Sequence, residues 1–413
     1  MYRLLLFVFA LLSVSVGVVK ADDEASAKME QKRQEIIAKA LDAGVRQETI
    51  DNVFNKLKYV PKVISLDRKQ PEFALSFEKY MARLVPEVRV KNARKYYFDN
   101  LNTLHKVAKE YDVSPHYLVA LWGLETNFGM NLPKFKLADS LFSMAMDNRR
   151  SDFFTREFIT ALKIQERDGV DVVNTKSSWA GAFGQFQFMP SSYMRHALDY
   201  NKDGKIDIVE SMPDAFASAA HYLKAAGWKK GEKWGRPVKV PKDFNWHLHL
   251  EDKVLTVSEW KKLGIKNLKG GELPESNIKA KLVLPMGHED LAFFAYHNFD
   301  VIYAWNHSLF YVIAVGYLAD RITMGEKIDF KSARASSLPA QKIKKLQEGL
   351  CKLGFYKDKV DGSFGSKTRK SLIAFQKSEK LPPDGYPSLK VLNKILEKVA
   401  LLEEKGESFA CEE

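Results

Sequence analysis

Ser178-Trp179-Ala180-Gly181-Ala182-Phe183-Gly184-Gln185-Phe186-Gln187-Phe188-Met189-Pro190-Ser191-Ser192-Tyr193 is the densest chemical stretch of this 413-residue chain. Its small residues let the backbone approach a ligand, while Ser178, Gln185, Gln187 and Tyr193 set hydrogen-bonding groups among aromatic surfaces. Sugars need that mixture, with polar edges for hydroxyl and acetamide groups and flat faces for the pyranose ring. Small residues also permit tight packing, so a structural Gly-rich turn is the alternative reading of the stretch alone.

Roughly fifty residues upstream, Glu125 follows Leu118, Leu121 and Trp122 at the i, i+3, i+4, i+7 spacing of an apolar helical stripe. A carboxyl turned toward an apolar face is desolvated, which favours its protonated form and suits it to general-acid work on a glycosidic or acyl bond. The alternative is a helix-end Glu reaching solvent past the turn Thr126-Asn127-Phe128-Gly129. Just downstream, Asp199 to Glu210 follows the twelve-position calcium loop: Asp199, Asn201, Asp203, Asp207 and Glu210 supply oxygen, Lys205 its backbone carbonyl, and Gly204 the sharp turn. An Asx-turn without metal is the other reading. A bound ion here would order the neighbouring wall of the site and take no part in bond breaking. Nothing points to an organic cofactor.

The ends of the chain bound its setting. Residues 1–21 read as a secretory signal, with Arg3, an apolar run from Leu4 to Val19 and the small-residue ending Val19-Lys20-Ala21. An uncleaved anchor is the rival, but the run falls short of the ~20 apolar residues that span a membrane. With no Cys near the cleavage site for a lipid anchor, the mature chain is expected in the periplasm as a monomer. The net charge of +12, or +10 without Arg3 and Lys20, suits an anionic polymer. No nucleic-acid module is recognisable, so an anionic wall polysaccharide or a lipid surface is the more economical partner, with other cell-wall enzymes as further candidates. Cys351 and Cys411 could pair in an oxidising compartment or remain two thiols; neither number nor spacing supports a catalytic Cys or a zinc site.

Between the ends the pattern is mostly helical. Helices are expected over 25–58, in a long amphipathic run over 97–125, at 151–167, from Met212 to Gly227, and at 290–322. Residues 229–290 read as loops with one or two short strands. The expected organisation is a catalytic domain at 22–328, a Ser/Ala-rich linker at 329–339, a compact helical unit at 340–398 and a tail at 399–413. No repeat is evident. In the last unit Ile343, Leu346, Leu350 and Leu353 form an apolar stripe stopped by Gly354, and Thr368, Leu372, Phe375 and Gln376 carry the following helix.

Glu125-Thr126-Asn127-Phe128-Gly129, the Ser178–Tyr193 stretch, Asn298-Phe299-Asp300-Val301-Ile302 and Asn306-His307-Ser308, in this order and spacing, resemble the membrane-bound lytic transglycosylase B family of bacterial peptidoglycan-cleaving enzymes. The resemblance implies a mainly α, lysozyme-like catalytic domain with a small β/loop insertion and a long glycan cleft. It implies that Glu125 protonates the oxygen between MurNAc and GlcNAc and then, as a carboxylate, deprotonates the MurNAc 6-hydroxyl, which closes on C1 to give a 1,6-anhydro ring. Ser178, Gln187 and Asn306 match positions that bond the sugar. Trp305 stands where many relatives have Tyr; it can stack on a sugar but lacks the phenolic donor and acceptor. Asp361-Gly362, Phe364-Gly365 and Phe375-Gln376 resemble the small three-helix peptidoglycan-binding domain of wall hydrolases, which implies a tether to the polymer. A hydrolytic muramidase on the same scaffold and a non-catalytic wall-binding scaffold are the competing readings.

Overall fold

The structure is a computed structural model that describes residues 27, 29–69, 75–323, 325–330 and 338–406. The signal at 1–21, most of the linker at 329–339 and the end of the tail with Cys411 lie outside the described residues. The chain forms two compact units, one from Met1–Gln70 and Glu125–Ala219, the other from Pro71–Leu124 and Ala220–Glu413.

In the first unit the segment expected as one helix over 25–58 is two, residues 29–42 and Gln47–Phe54, broken where Gly44 takes φ 85°. Gln47–Phe54 delivers Phe54 edge-on to Phe142 and Phe158, at 6.1 and 5.5 Å between ring centroids. Phe142 lies on Leu137–Ala145, a helix buried along its whole length, and Phe158 on Ser151–Asp168, close to the expected 151–167. Buried polar groups on these helices tie down the preceding loop: Asp139 accepts from the Lys58 amide at 2.8 Å and Ser143 from Val60 at 2.7 Å. A two-stranded antiparallel ribbon, β1 (Phe135–Lys136) with β2 (Lys176–Ser177), leads into the Ser178 stretch.

In the second unit the amphipathic run expected over 97–125 is divided. Glu87–Asp99 and Leu101–Tyr111 are separate helices, and a third, Pro115–Thr126, follows after Asp112 turns left-handed at φ 59°. The stretch at 229–290 is also corrected. It contributes β3 (Gly235–Lys239), β4 (Leu255–Thr256), β5 (Lys266–Asn267) and β6 (Lys279–Val283), which join β7 (Ala292–Ala295) in an antiparallel sheet of order β4-β6-β7-β3-β5. Its core centres on Trp260, which donates from Nε1 to the Ala280 carbonyl at 2.9 Å and packs among Phe244, Val257, Leu282 and Phe294. The helix expected over 290–322 is strand β7 followed by His297–Trp305 and Leu309–Ile322, bent by 115° between them. Among the described residues no single helix is long and apolar enough to cross a membrane.

The C-terminal helices Ala340–Lys352, Ser366–Ser378 and Leu389–Glu404 bury Ile343, Leu346, Leu350, Leu372 and Phe375 as the stripe predicts. Two buried glutamines brace them in parallel ways. Gln347 accepts from the Gly362 amide and donates to Asp361, and Gln376 accepts from the Gly385 amide and donates to Asp384, all within 2.9 Å. Each Gln thus bridges to an Asp-Gly turn, an internal repeat the sequence reading missed. Cys351 is disulfide-bonded.

Candidate active site

Glu125 is the penultimate residue of the helix Pro115–Thr126. The expected single apolar stripe is an understatement, because Leu118, Val119, Ala120, Leu121 and Trp122 are all buried, and Glu125 emerges half-buried where this sheath ends. The helix stops abruptly. Asn127, Phe128 and Gly129 take φ of 51°, 60° and 78°, three left-handed residues in a row. Each of the two that are not glycine costs about 1–2 kcal/mol, so the surroundings must hold the turn. Thr126 does much of this, donating from Oγ1 to the Gln185 carbonyl at 3.0 Å and accepting from the Gly129 amide at 3.1 Å. Gly129 is required: a Cβ there would stand 2.9 Å from Gln185 Oε1 at a positive φ.

The Ser178–Tyr193 stretch is a knot of short loops. Ser178 donates its amide to Ala182 at 2.7 Å, and Phe183 and Phe188 exchange backbone bonds at 2.9 Å. Gln185 and Tyr193, expected to face a ligand, are placed otherwise. Gln185 is buried, with its backbone amide on Ile208 at 2.9 Å and Nε2 on the Val209 carbonyl at 2.7 Å. Tyr193 is fully buried and donates to Ile206 at 3.2 Å; burial pushes its hydroxyl well above the usual range. Both hold the loop, and Phe183, Phe186 and Phe188 are core residues, not sugar platforms. Ser178 and Gln187 remain half-buried. Ser178 Oγ accepts from Ala180 and Ala182 at 3.3 and 3.1 Å, and Gln187, at φ 51°, donates from Nε2 to Gly184 at 2.9 Å.

Trp305 and Asn306 belong to the second unit, whereas Glu125, the Ser178–Tyr193 residues and the loop Asp199–Glu210 belong to the first. There Asn306 caps the helix His297–Trp305, and Trp305 meets the Tyr222 ring edge-on at 4.7 Å while Tyr222 donates to Ala304 at 3.0 Å.

The loop Asp199–Glu210 is built from Asx turns. Asp199 accepts from Asp203 and Gly204 at 3.1 and 2.9 Å, Asp203 from Lys205 at 2.9 Å, and Asp207 from Val209 and Glu210 at 2.8 and 2.9 Å. Asn201 donates to Asp203 at 2.9 Å. Its organiser is Asp214, fully buried, whose carboxylate accepts from the amides of Tyr200, Asn201 and Asp207 at 2.9, 3.1 and 3.1 Å. Among the described residues no three acidic, His or Cys side chains converge closely enough to hold a metal. Hard oxygen donors at the right spacing fit calcium in kind, but they would have to draw together around it.

Against known proteins, the family model of the Transglycosylase SLT domain matches residues 28–320. The chain belongs to this family. A second model, of a peptidoglycan binding domain, matches this SLT-domain protein over residues 339–395. The protein is similar to membrane-bound lytic murein transglycosylase B of Escherichia coli, 26% identical over 68% of this chain and 79% of that one. It is also similar to SltB3 of Pseudomonas aeruginosa, solved in complex with NAG-NAM-pentapeptide, at 35% identity and TM-score 0.83 over 89% of this chain and 99% of that one. A third relative is Escherichia coli Slt35, solved in complex with calcium, at 26% identity and TM-score 0.59 over 71% and 93% of the two chains. The SLT-domain chain is accordingly a lytic transglycosylase, with the mainly helical fold of these neighbours.

Two supporting residues of this transglycosylase escaped the sequence reading. Asp214 stands in the first turn of the helix Met212–Ala225, and nothing in the sequence announces its three loop partners. Glu157, buried on Ser151–Asp168, accepts from the Ser191 amide at 2.9 Å and so fixes the start of Pro190–His196.

Proposed function

We propose that this lytic transglycosylase cleaves the β-1,4 bond between MurNAc and GlcNAc of peptidoglycan without consuming water, with Glu125 as acid and then base. The observation that carries the assignment is the setting of Glu125: a half-buried carboxyl at the end of a buried helix, beside a strained turn pinned to the Ser178–Tyr193 knot. The fully buried carboxylates of the same unit are committed elsewhere. Asp67 pairs with Arg149 and Arg150, while Asp139, Glu157 and Asp214 accept backbone amides. The carbonyl end of a helix also favours a neutral, proton-carrying carboxyl over a charged one.

The chemistry then needs one carboxyl. Glu125 gives its proton to the bridging oxygen as the C1–O bond breaks, and the resulting carboxylate takes the proton of the MurNAc 6-hydroxyl as that oxygen bonds C1. A hydrolase would use a second carboxyl about 5–9.5 Å away to serve as nucleophile or to direct water. Ser178, Gln187, Trp305 and Asn306 would bond or stack on the sugars. SltB3 has been solved with NAG-anhNAM-pentapeptide, which bears the anhydro end expected here. The test is digestion of purified peptidoglycan in 18O-water: products without the label support the intramolecular reaction, and labelled reducing ends would overturn it.

The same reading places the enzyme in the cell envelope, exported by residues 1–21 to the periplasm. Calcium at Asp199, Asn201, Asp203, Lys205, Asp207 and Glu210 would brace the loop to which Gln185 is bonded. The ion would supply rigidity only; this chain's own residues hold and move the proton. The domain at 340–398 would hold the enzyme on its insoluble polymer.

A further inference from the structure

The second unit contains a cavity of about 670 Å3 between β3, β5 and the end of the helix Leu309–Ile322. Its charged lining is Lys233, Arg236, Lys269 and Lys327 against Asp320 and Glu326. Three of the four cations are already engaged within the protein: Lys233 lies 3.8 Å from Asp320, Lys269 2.6 Å from Glu326, and Lys327 3.2 Å from Glu87. Arg236 is different. It is half-buried on an interior strand of the sheet, bonded to the Tyr296 hydroxyl and in the field of Asp320, and among the described residues no carboxylate stands within 4.0 Å of its guanidinium.

We propose that this cavity is a subsite for the peptide carried by the glycan substrate, with Arg236 receiving a free carboxylate of that peptide. The proposal rests on the peptidoglycan-cleaving reading above and deepens it. A neutral sugar would be served by amide and hydroxyl groups, whereas the polar lining here is mostly charged, and a half-buried guanidinium matches a carboxylate in a two-pronged bond. The companion charges matter too. Asp320, half-buried and held by Trp234 Nε1 at 2.9 Å, and Glu326 offer acceptors for an amine, so the site suits a peptide bearing both signs. The volume falls within the roughly 300–1,000 Å3 of small-ligand sites, room for a few amino-acid residues. A second cavity of about 620 Å3 shares the Tyr296 and Ile278 walls and adds Lys229, Lys279 and Lys281 against Glu232 and Asp300. Across the two linings Lys and Arg outnumber Asp and Glu by seven to four, which suits a chain with carboxylates to spare.

The test uses the full chain, two substrates and one direct titration. Peptidoglycan bearing its peptides and the same glycan stripped by an amidase are digested by wild type and Arg236→Gln, and a synthetic stem tetrapeptide with free carboxylates is titrated into both by calorimetry. The expected result is a loss of roughly tenfold or more in kcat/KM on the peptide-bearing glycan, an unchanged rate on stripped glycan, and weaker tetrapeptide binding by a similar factor. Lys269→Gln, at an exposed wall, should move the same readouts in the same direction by less. Equal losses on both substrates, or tetrapeptide binding indifferent to Arg236→Gln, would overturn the proposal, as would tight binding of inorganic phosphate with none of the tetrapeptide. Because the titration needs no turnover, a failure of the catalytic reading would leave the peptide result legible.

Discussion

Asp214→Asn isolates the group that organises the loop beside the candidate active site. Two of its amide bonds, from Tyr200 and Asn201, converge on Oδ1, and the third, from Asp207, reaches Oδ2. Asn can keep the first two but turns an NH2 toward the Asp207 amide, donor against donor, in a site with no solvent access. A hydrogen bond to a charged acceptor contributes about 1.5–3 kcal/mol, and an orphaned buried N–H costs a further ~1–3, so the expected loss is about 3–5 kcal/mol. Within a unit of this size that is at least ~6 °C in Tm. The assay is thermal unfolding followed by tryptophan fluorescence and circular dichroism, with the exposed Asp203→Asn as a control expected to shift Tm by under ~2 °C. A shift for Asp214→Asn no larger than the control would refute the reasoning that the loop is built around this carboxylate.

Other expectations follow from the same physics. Gly129→Ala, with its Cβ forced against Gln185 at φ 78°, should cost about 1–3 kcal/mol in unfolding experiments and reduce turnover far more than stability, since Glu125 leads directly into that turn; full activity would contradict it. His116 is held down to about 4 by burial, reinforced by Lys233. Its unfolded form takes a proton near 6.5 while the folded form does not, so stability should fall as pH drops from about 6.5 to about 4, by about 3 kcal/mol. Urea unfolding at pH 7.5 and 4.5 should show a smaller acid loss for His116→Phe than for wild type, and identical losses would refute the assignment. Calcium at a hundredfold over its Kd should stabilise by about 2.7 kcal/mol relative to chelator; a Tm indifferent to both would count against the ion.

The sequence disclosed those parts whose signal is local. The stripe of Ile343, Leu346 and Leu350, buried as expected, is contained in one short window. What it hid depends on partners far along the chain. The sheet was illegible because β4 and β5 are two residues long and β7, Ala292-Phe293-Phe294-Ala295, is buried on both faces, so it reads as the start of the apolar helix that follows. Gln185 and Tyr193 looked like ligand groups because polarity in a Gly-rich stretch does not reveal that Ile206, Ile208 and Val209 return to claim them. The repeat of Gln347 and Gln376 was hidden because only the Gln and Asp-Gly pairs recur, not the residues around them.

The most direct test of the central claim is mass spectrometry of soluble products released from purified peptidoglycan by the mature protein and by Glu125→Gln. Glutamine keeps the volume and removes the proton that the reaction needs. The account predicts 1,6-anhydroMurNAc ends from the wild type and none from a variant that remains folded and wall-bound. Undiminished release by Glu125→Gln would contradict it.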